Sequence, residues 1–178
     1  MGQHLLRVDL GWTKKKLSQK VKKQASILNR MKTTAKEKYQ LSMAGEYGVC
    51  AELSKRGFDA SITMGNAKAT DVMIFLEDKS FRRIEVKTTR STRFVTGFFQ
   101  KYFDKSCIHP DFWVLVQIDE ENNSHYYILT HEEMGEVQMK RNEMDKWEKI
   151  DGCDNVLLRD LDSFKEQWDK FENIKENT

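Results

Sequence analysis

Two short apolar runs joined by a tight polar turn restrict the fold of this chain more than any other feature. Residues 70–77 read TDVMIFLE and residues 81–89 read FRRIEVKTT, with DKS between them. Two such runs with so short a turn predict a β-hairpin, whose strands are antiparallel neighbours. Because side chains alternate along a strand, one face of the second strand should carry Phe81, Arg83, Glu85 and Lys87. A glutamate and a lysine on one strand face indicate either a solvated surface or a functional site.

The remaining patterns predict an α/β domain. A helical pattern ends at Arg56-Gly57, where Gly57 is suited to a left-handed cap, and Thr130 is suited to cap a later helix. Residues 90–110 predict either a short aromatic helix or a loop over a site. Besides the hairpin, the predicted elements are helices at about 36–56, 131–147 and 160–175 and strands at about 58–64, 111–119 and 125–130. This order predicts an α/β or α+β fold with a mixed central sheet flanked by helices, the strand at 111–119 being central.

The composition predicts one soluble domain with a basic N-terminal segment. The chain has 178 residues, of which 39% are hydrophobic and 33% charged. We expect no membrane span, because no apolar run approaches the roughly 20 residues that one requires. The three cysteines are widely spaced, which argues against a disulfide scaffold and predicts a cytoplasmic protein. Residues 1–40 hold eleven Lys or Arg and two acids, although the net charge of the chain is only +2. We therefore divide the chain into a basic helical arm, 1–38, and a domain, 39–178.

The arm is predicted to form a basic amphipathic helix over about 13–32, where apolar residues recur among lysines. Such a helix suits contact with the phosphates of DNA. The lysines assigned to that contact are Lys14, Lys15, Lys16, Lys20, Lys22 and Lys23. Two alternatives stay open, namely a solvated helix face and a helix that docks on an acidic partner protein.

Three carboxylates are predicted to meet near one lysine. The hairpin turn places Asp71 roughly opposite Lys87, so both residues should lie with Glu85 at one end of the hairpin. On the preceding helix, Glu46 is the one charged residue in an apolar stripe, and a buried carboxylate needs a partner. Its glycine neighbours Gly45 and Gly48 would let that helix approach the sheet closely.

A divalent cation would relieve the repulsion among these carboxylates. Mg²⁺ prefers carboxylate, carbonyl and water oxygens, and Mn²⁺ should substitute for it. Asp71, Glu85 and the Val86 carbonyl would hold the ion, and Glu46 would bind it directly or through water. Lys87 would orient or deprotonate a water, or offset charge on a phosphate. The alternative is a cross-strand ion pair on a solvated face, with Glu46 at a helix edge.

These residues resemble those of the PD-(D/E)XK nuclease superfamily, which has the restriction-endonuclease-like fold. The resemblance covers about residues 40–130 and rests on Glu46, Asp71 and the strand motif Glu85-Val86-Lys87. The proline of the family motif is replaced by Thr70, and the literal Pro110-Asp111 follows the strand motif instead of preceding it.

The resemblance implies a Mg²⁺-dependent DNA endonuclease with four catalytic residues: Glu46, Asp71, Glu85 and Lys87. The resemblance leaves the biological role open; we favour restriction or defence, with Holliday-junction resolution or DNA repair as alternatives, and we expect no organic cofactor. Cutting both strands would require two sites and hence a homodimer. A catalytically inactive nucleic-acid-binding or protein-interaction module of the same fold is the alternative of another class. Arg90 and Arg93 follow the motif and are expected to contact phosphates, the alternative being a polar loop. The aromatic residues at 98–103 are expected to pack in the core, the alternative being that they stack on bases.

Overall fold

The computed structural model describes residues 34–63, 70–104, 106–149 and 154–176. The elements below belong to the unit Lys38–Thr178, except for the first turn of the first helix. The predicted arm helix and its lysines lie outside the described residues. No helix in the described part of the chain is both long and apolar enough to cross a bilayer.

The helices are α1 (Ala35–Lys55), α2 (Phe98–Lys101), α3 (His131–Arg141) and α4 (Asp169–Glu176). The strands are β1 (Asp59–Ile62), β2 (Val72–Phe75), β3 (Phe81–Thr89), β4 (Arg93–Val95), β5 (Phe112–Ile118), β6 (Ser124–Thr130) and β7 (Asn155–Leu157). Two 3₁₀ turns, Leu158–Asp160 and Asp162–Phe164, precede α4.

A mixed five-stranded sheet forms the centre of the domain, in the order β1-β2-β3-β5-β6. Strands β3 and β5 are parallel, and the other neighbours are antiparallel. The predicted hairpin is therefore confirmed as β2 and β3, and the predicted central strand is confirmed as β5, between β3 and β6. Strands β4 and β7 pair in a separate two-stranded sheet. The predicted fold class, a mixed sheet flanked by helices, is confirmed.

Apolar side chains cover the central sheet on both faces. On one face, Val49 and Leu53 of α1 pack with Ile84 and Val86 of β3. On the other face, a second core of buried side chains includes Phe94, Phe98, Phe99, Trp113, Leu115, Leu129 and Val156. The aromatic residues Phe98, Phe99 and Tyr102 are buried, so the predicted packing role is confirmed for them, whereas Phe103 is exposed.

Local signals explain where most helices begin and end. Thr130 caps α3 in a capping box with Glu133, as the sequence predicts. Gly57 follows α1 with φ of 75°, so its predicted left-handed conformation is confirmed. Helix α3 ends at Arg141, earlier than predicted, and Asn142 caps it by donating its side-chain amide to the Gln138 carbonyl at 2.7 Å.

The predicted helix over 160–175 is wrong in its first half. The chain there forms a 3₁₀ turn and then crosses the outer edge of β6. Lys165 bridges Tyr127, and the Glu166 carboxylate accepts the backbone N–H of Tyr126 at 3.0 Å. Glu166 adopts a φ of 55°, which is incompatible with a continuous helix. The unpaired backbone groups of an edge strand thus outweigh the helical periodicity of this segment.

Candidate active site

The hairpin brings Asp71 beside Glu85. Asp71 lies directly before β2 and extends its ladder, because its N–H donates to the Ile84 carbonyl at 2.9 Å. Its carboxylate Oδ2 accepts the Val86 N–H at 2.8 Å. Val72 pairs with Ile84, so Asp71 is opposite Glu85, two residues from the predicted partner Lys87. A shift of two residues keeps every side chain on the predicted face.

Three oxygen atoms converge on the ammonium group of Lys87. Its Nζ lies 2.6 Å from Glu85 Oε1, 3.3 Å from the Val86 carbonyl oxygen and 3.9 Å from Asp71 Oδ2. These oxygens belong to three of the four residues that the sequence predicts as metal ligands. The site therefore surrounds one cation, the Lys87 ammonium, with three oxygen atoms. Two of them belong to β3, and the third belongs to Asp71 beside it.

The pKa values of Asp71 and Glu85 are shifted in opposite directions. Burial, followed by the charge of Glu85, raises the pKa of Asp71 above its ordinary value. Burial acts on Glu85 in the same direction, but Lys87 and Lys101 together outweigh it and hold the pKa of Glu85 below its ordinary value. Glu85 is therefore the more firmly ionised of the two carboxylates. Its side chain is buried, whereas that of Asp71 is partly exposed to solvent.

Glu46 reaches the same region from α1. It is buried, with 7% of its surface exposed, and Ser42 donates a hydrogen bond to its Oε1 at 3.0 Å. Burial is the largest influence on its pKa, which is raised, and the charges of Asp71 and Glu85 act in the same direction. Glu46 is thus within electrostatic reach of the hairpin carboxylates.

Close packing of α1 against β3 puts Glu46 there. A Cβ atom on Gly45 would lie 1.9 Å from Thr88 Oγ1, and one on Gly48 would lie 2.9 Å from the Tyr126 hydroxyl oxygen. The prediction that these two glycines allow a close approach of helix and sheet is therefore confirmed.

Among the described residues, no three side chains of His, Cys, Asp or Glu are arranged so that they alone could hold a metal ion. A cation here would take Asp71, Glu85 and the Val86 carbonyl, with Glu46 acting through water. That donor set fits Mg²⁺, which commonly binds one or two carboxylates and keeps several waters.

Lys101 is a site residue that the sequence analysis missed. It ends α2, and its Nζ lies 3.2 Å from Glu85 Oε1, the oxygen that Lys87 also contacts. Neither its spacing nor its surroundings in the sequence mark it, because it stands beside Gln100 as one of two such polar residues in the aromatic stretch FFQKYF. Only the crossover between β3 and β5 brings it to the carboxylate.

Of the residues predicted to contact phosphates, Arg90 and Arg93 lie in the part of the chain that the structure describes. Arg90 and Arg93 are exposed on the segment that follows β3. Arg90 donates to the Asn122 side-chain oxygen at 3.0 Å, which ties it to the turn between β5 and β6. Their contact with phosphates stays a prediction.

The exposure of the side chains increases outward across the site. Glu85 is 5% exposed, whereas the side chains of Lys87 and Lys101 are 25% and 52% exposed. Glu85 thus lies at the base of the site, and the more exposed ammonium groups of Lys87 and Lys101 lie nearer to solvent.

No protein-family model matches the sequence, and no curated protein matches it. Among solved structures, a bacterial homing endonuclease, I-Ssp6803I, matches with a TM-score of 0.50 and 12% sequence identity. The match covers 81% of this chain and 95% of that chain. A likeness at this identity shows a shared fold, so the domain has an endonuclease-like α/β core. The resemblance to the PD-(D/E)XK superfamily continues to rest on the site residues themselves.

Proposed function

We propose that this protein is a Mg²⁺-dependent DNA endonuclease. The observation that carries the proposal is the convergence of Glu85 Oε1, the Val86 carbonyl oxygen and Asp71 Oδ2 around one cation, the Lys87 ammonium. The fold shared with a homing endonuclease supports it. So does the partial exposure of the Lys87 and Lys101 side chains, since a duplex must reach the reacting groups from outside.

The proposed residues have distinct tasks. Asp71, Glu85 and the Val86 carbonyl would hold the divalent ion, which when bound supplies an activated water and charge stabilisation at the phosphate. Glu46 would position a water, because it is buried, is held by Ser42 and lies within electrostatic reach of Asp71 and Glu85. Lys87 would contact the attacking water or a phosphate oxygen. One water is consumed, one P–O ester bond breaks, and the products are a phosphate monoester and a free hydroxyl.

The firm ionisation of Glu85 favours this assignment over a purely structural ion pair. A structural pair needs one lysine, whereas Glu85 Oε1 contacts two. Asp71 has no ammonium closer than 3.9 Å in the described contacts, and burial works against its charge. An additional cation between the two carboxylates would stabilise the ionised form of Asp71, which without it has no positive charge in close contact among the described residues.

The proposal is tested with the full chain, supercoiled plasmid and a linear duplex, in Mg²⁺, in Mn²⁺ and in EDTA. Nicking or cutting that requires the metal is the expected result, and Asp71→Asn and Glu85→Gln should each lose about 100-fold or more in rate. Glu77→Gln is the matched control, because Glu77-Asp78-Lys79 repeats the E-x-K spacing on the exposed hairpin turn. It should cleave as the wild type does.

Calorimetric titration of Mn²⁺ into wild type and Asp71→Asn gives a second readout. Binding to the wild type that weakens at least 10-fold in the variant would support the proposal. Absence of both cleavage and metal binding in the wild type would sink it and favour the catalytically inactive binding module.

We place the proposed enzyme in restriction or defence, with junction resolution or repair as the alternative. Equal rates on linear duplex and on a four-way junction would favour the first. A preference for the junction of more than about 10-fold would favour the second. The arm lysines and the two arginines after β3 would then add phosphate contacts that weaken as salt increases, and a homodimer would supply the second cut.

A further inference from the structure

Lys101 has a geometry that a structural role does not explain. Its Nζ lies 3.2 Å from Glu85 Oε1, yet that oxygen already has Lys87 at 2.6 Å. The Lys101 side chain is 52% exposed, and an ion pair with so exposed a partner adds little to stability. The position of its ammonium group at the mouth of the site therefore requires another reason.

The backbone that carries Lys101 is firmly anchored. Phe98 and Phe99 of α2 are fully buried, as is most of Tyr102, which follows the helix. The Lys101 N–H donates to the Gly97 carbonyl at 3.2 Å. The buried Asp154 carboxylate accepts the Gln100 N–H at 3.1 Å, so it fixes the turn from across the second core. A flexible side chain thus extends toward Glu85 from a fixed point.

The formal charges around Glu85 give Lys101 a task. Asp71 and Glu85 form ion pairs with the ammonium groups of Lys87 and Lys101, and Glu46 adds a third carboxylate within electrostatic reach. A bound divalent ion would offset these negative charges and release an ammonium group from Glu85. A phosphodiester carries one negative charge, and the pentavalent arrangement reached during hydrolysis carries two. An ammonium group placed beside the phosphate therefore complements the transition state more than the substrate, which is the condition for accelerating a reaction.

We propose that Lys101 is a second catalytic lysine, which leaves Glu85 and contacts a non-bridging oxygen of the scissile phosphate when DNA binds. This inference rests on the proposed nuclease function and deepens it. Both lysines contact Glu85, and Lys101, with 52% of its side chain exposed against 25% for Lys87, is the freer of the two to turn toward the substrate.

The test compares wild type, Lys101→Ala, Lys101→Met, Lys101→Arg and the control Lys140→Ala. Lys140 is an exposed lysine in the last turn of α3, so its loss removes the same charge away from the site. Single-turnover cleavage should fall about 100-fold in Lys101→Ala and Lys101→Met, recover in part in Lys101→Arg and stay unchanged in Lys140→Ala. Melting temperatures should stay within the scatter of the wild type.

A second readout does not depend on cleavage. Because Lys101 competes with a cation for Glu85, its removal should tighten Mn²⁺ binding, by up to about 5-fold for a partly exposed pair. Slower cleavage combined with tighter metal binding distinguishes a catalytic role from damage to the site, which would weaken both.

If the wild type cleaves DNA and Lys101→Met cleaves it at a rate within about 3-fold of the wild type, the inference is overturned and the proposed nuclease function stands. Weaker Mn²⁺ binding by a variant that melts normally has the same meaning. If Lys101→Ala is destabilised, Lys101→Met, which keeps the aliphatic stem, decides the outcome. A wild type that cuts no DNA in either metal overturns the proposed function, and the inference with it.

Discussion

Replacing Gly45 by alanine should destabilise the domain, although alanine is the better helix former. A Cβ at this position would lie 1.9 Å from Thr88 Oγ1 and 3.0 Å from Thr88 Cβ. Both sides of the contact are held in place. Helix α1 is fixed by the fully buried Val49 and Leu53, and Thr88 pairs with Val116 inside the β3–β5 ladder. The added methyl group must therefore push the helix away from the sheet.

The magnitude follows from two opposing effects. Helix propensity alone favours alanine over glycine by about 1 kcal/mol. Overpacking a well-packed contact typically costs about 1–3 kcal/mol. Rotation of Thr88 gives little relief, because its Cγ2 is also only 3.2 Å from the added atom. The cost should lie near the top of the range, which gives a net loss of about 1–2 kcal/mol in the free energy of unfolding.

Urea denaturation of wild type, Gly45→Ala, Thr88→Ala and the double variant measures this loss. The double variant removes Thr88 Oγ1, which is buried and has no hydrogen-bond partner among the described residues. It should recover at least about 1 kcal/mol as coupling between the two positions. Gly48→Ala is the matched control, since the atom it would meet at 2.9 Å is the hydroxyl tip of Tyr126, which can turn aside.

A Gly45→Ala protein as stable as the wild type, or more stable, would refute the close approach of α1 and β3. Zero coupling in the double variant would do the same. Because Glu46 is the next residue, the displacement should also reach the site. We expect Gly45→Ala to lose more activity than Gly48→Ala under conditions where both are folded.

Three further predictions concern single side chains. Thr130→Ala should cost about 0.5–2 kcal/mol in urea denaturation, because it removes the capping box of α3, and an unchanged midpoint would contradict the cap. Burial lowers the pKa of His131 from 6.5 to about 4, so the unfolded chain binds the proton more readily than the folded one. The stability that is present above pH 6.5 is therefore lost as the pH falls toward 4. The loss should reach about 3 kcal/mol, and denaturation at pH 7 and pH 4.5 should show a smaller difference for His131→Gln than for the wild type. Asp154→Ala should release the Gln100 N–H and slow cleavage in the direction of Lys101→Ala; cleavage at the wild-type rate by a folded Asp154→Ala protein would count against the anchoring role.

The hairpin shows which structural features can be predicted from the local sequence and which cannot. The prediction for the second strand, 81–89, matches β3 at both ends, because alternation and the polar turn are encoded within a few residues. The pairing was displaced by two residues. The turn is tied by the Leu76 N–H to the Ser80 carbonyl, with Lys79 at φ of 68°, and this backbone geometry is not evident from the composition DKS.

The stretch 160–175 shows where local sequence misleads. Its apolar spacing is helical, yet the chain turns at Glu166 to serve the edge of β6. Three of the residues that carry this spacing, Leu161, Trp168 and Phe171, are buried. The spacing carries no information about the unpaired backbone of a strand some 40 residues earlier, which is what sets the path of the chain.

The sequence by itself determined the strand face that carries Glu85 and Lys87, the helix face that carries Glu46 and the glycine that brings them close. These follow from the regular repeats of strand and helix, which any residue pattern must obey. Only the tertiary structure decided the register that places Asp71 directly opposite Glu85, and only it showed that Lys101 joins them. Those placements depend on a turn conformation and on the packing of Phe98, Phe99 and Asp154 in the second core, and packing between distant segments leaves no periodic trace in the sequence.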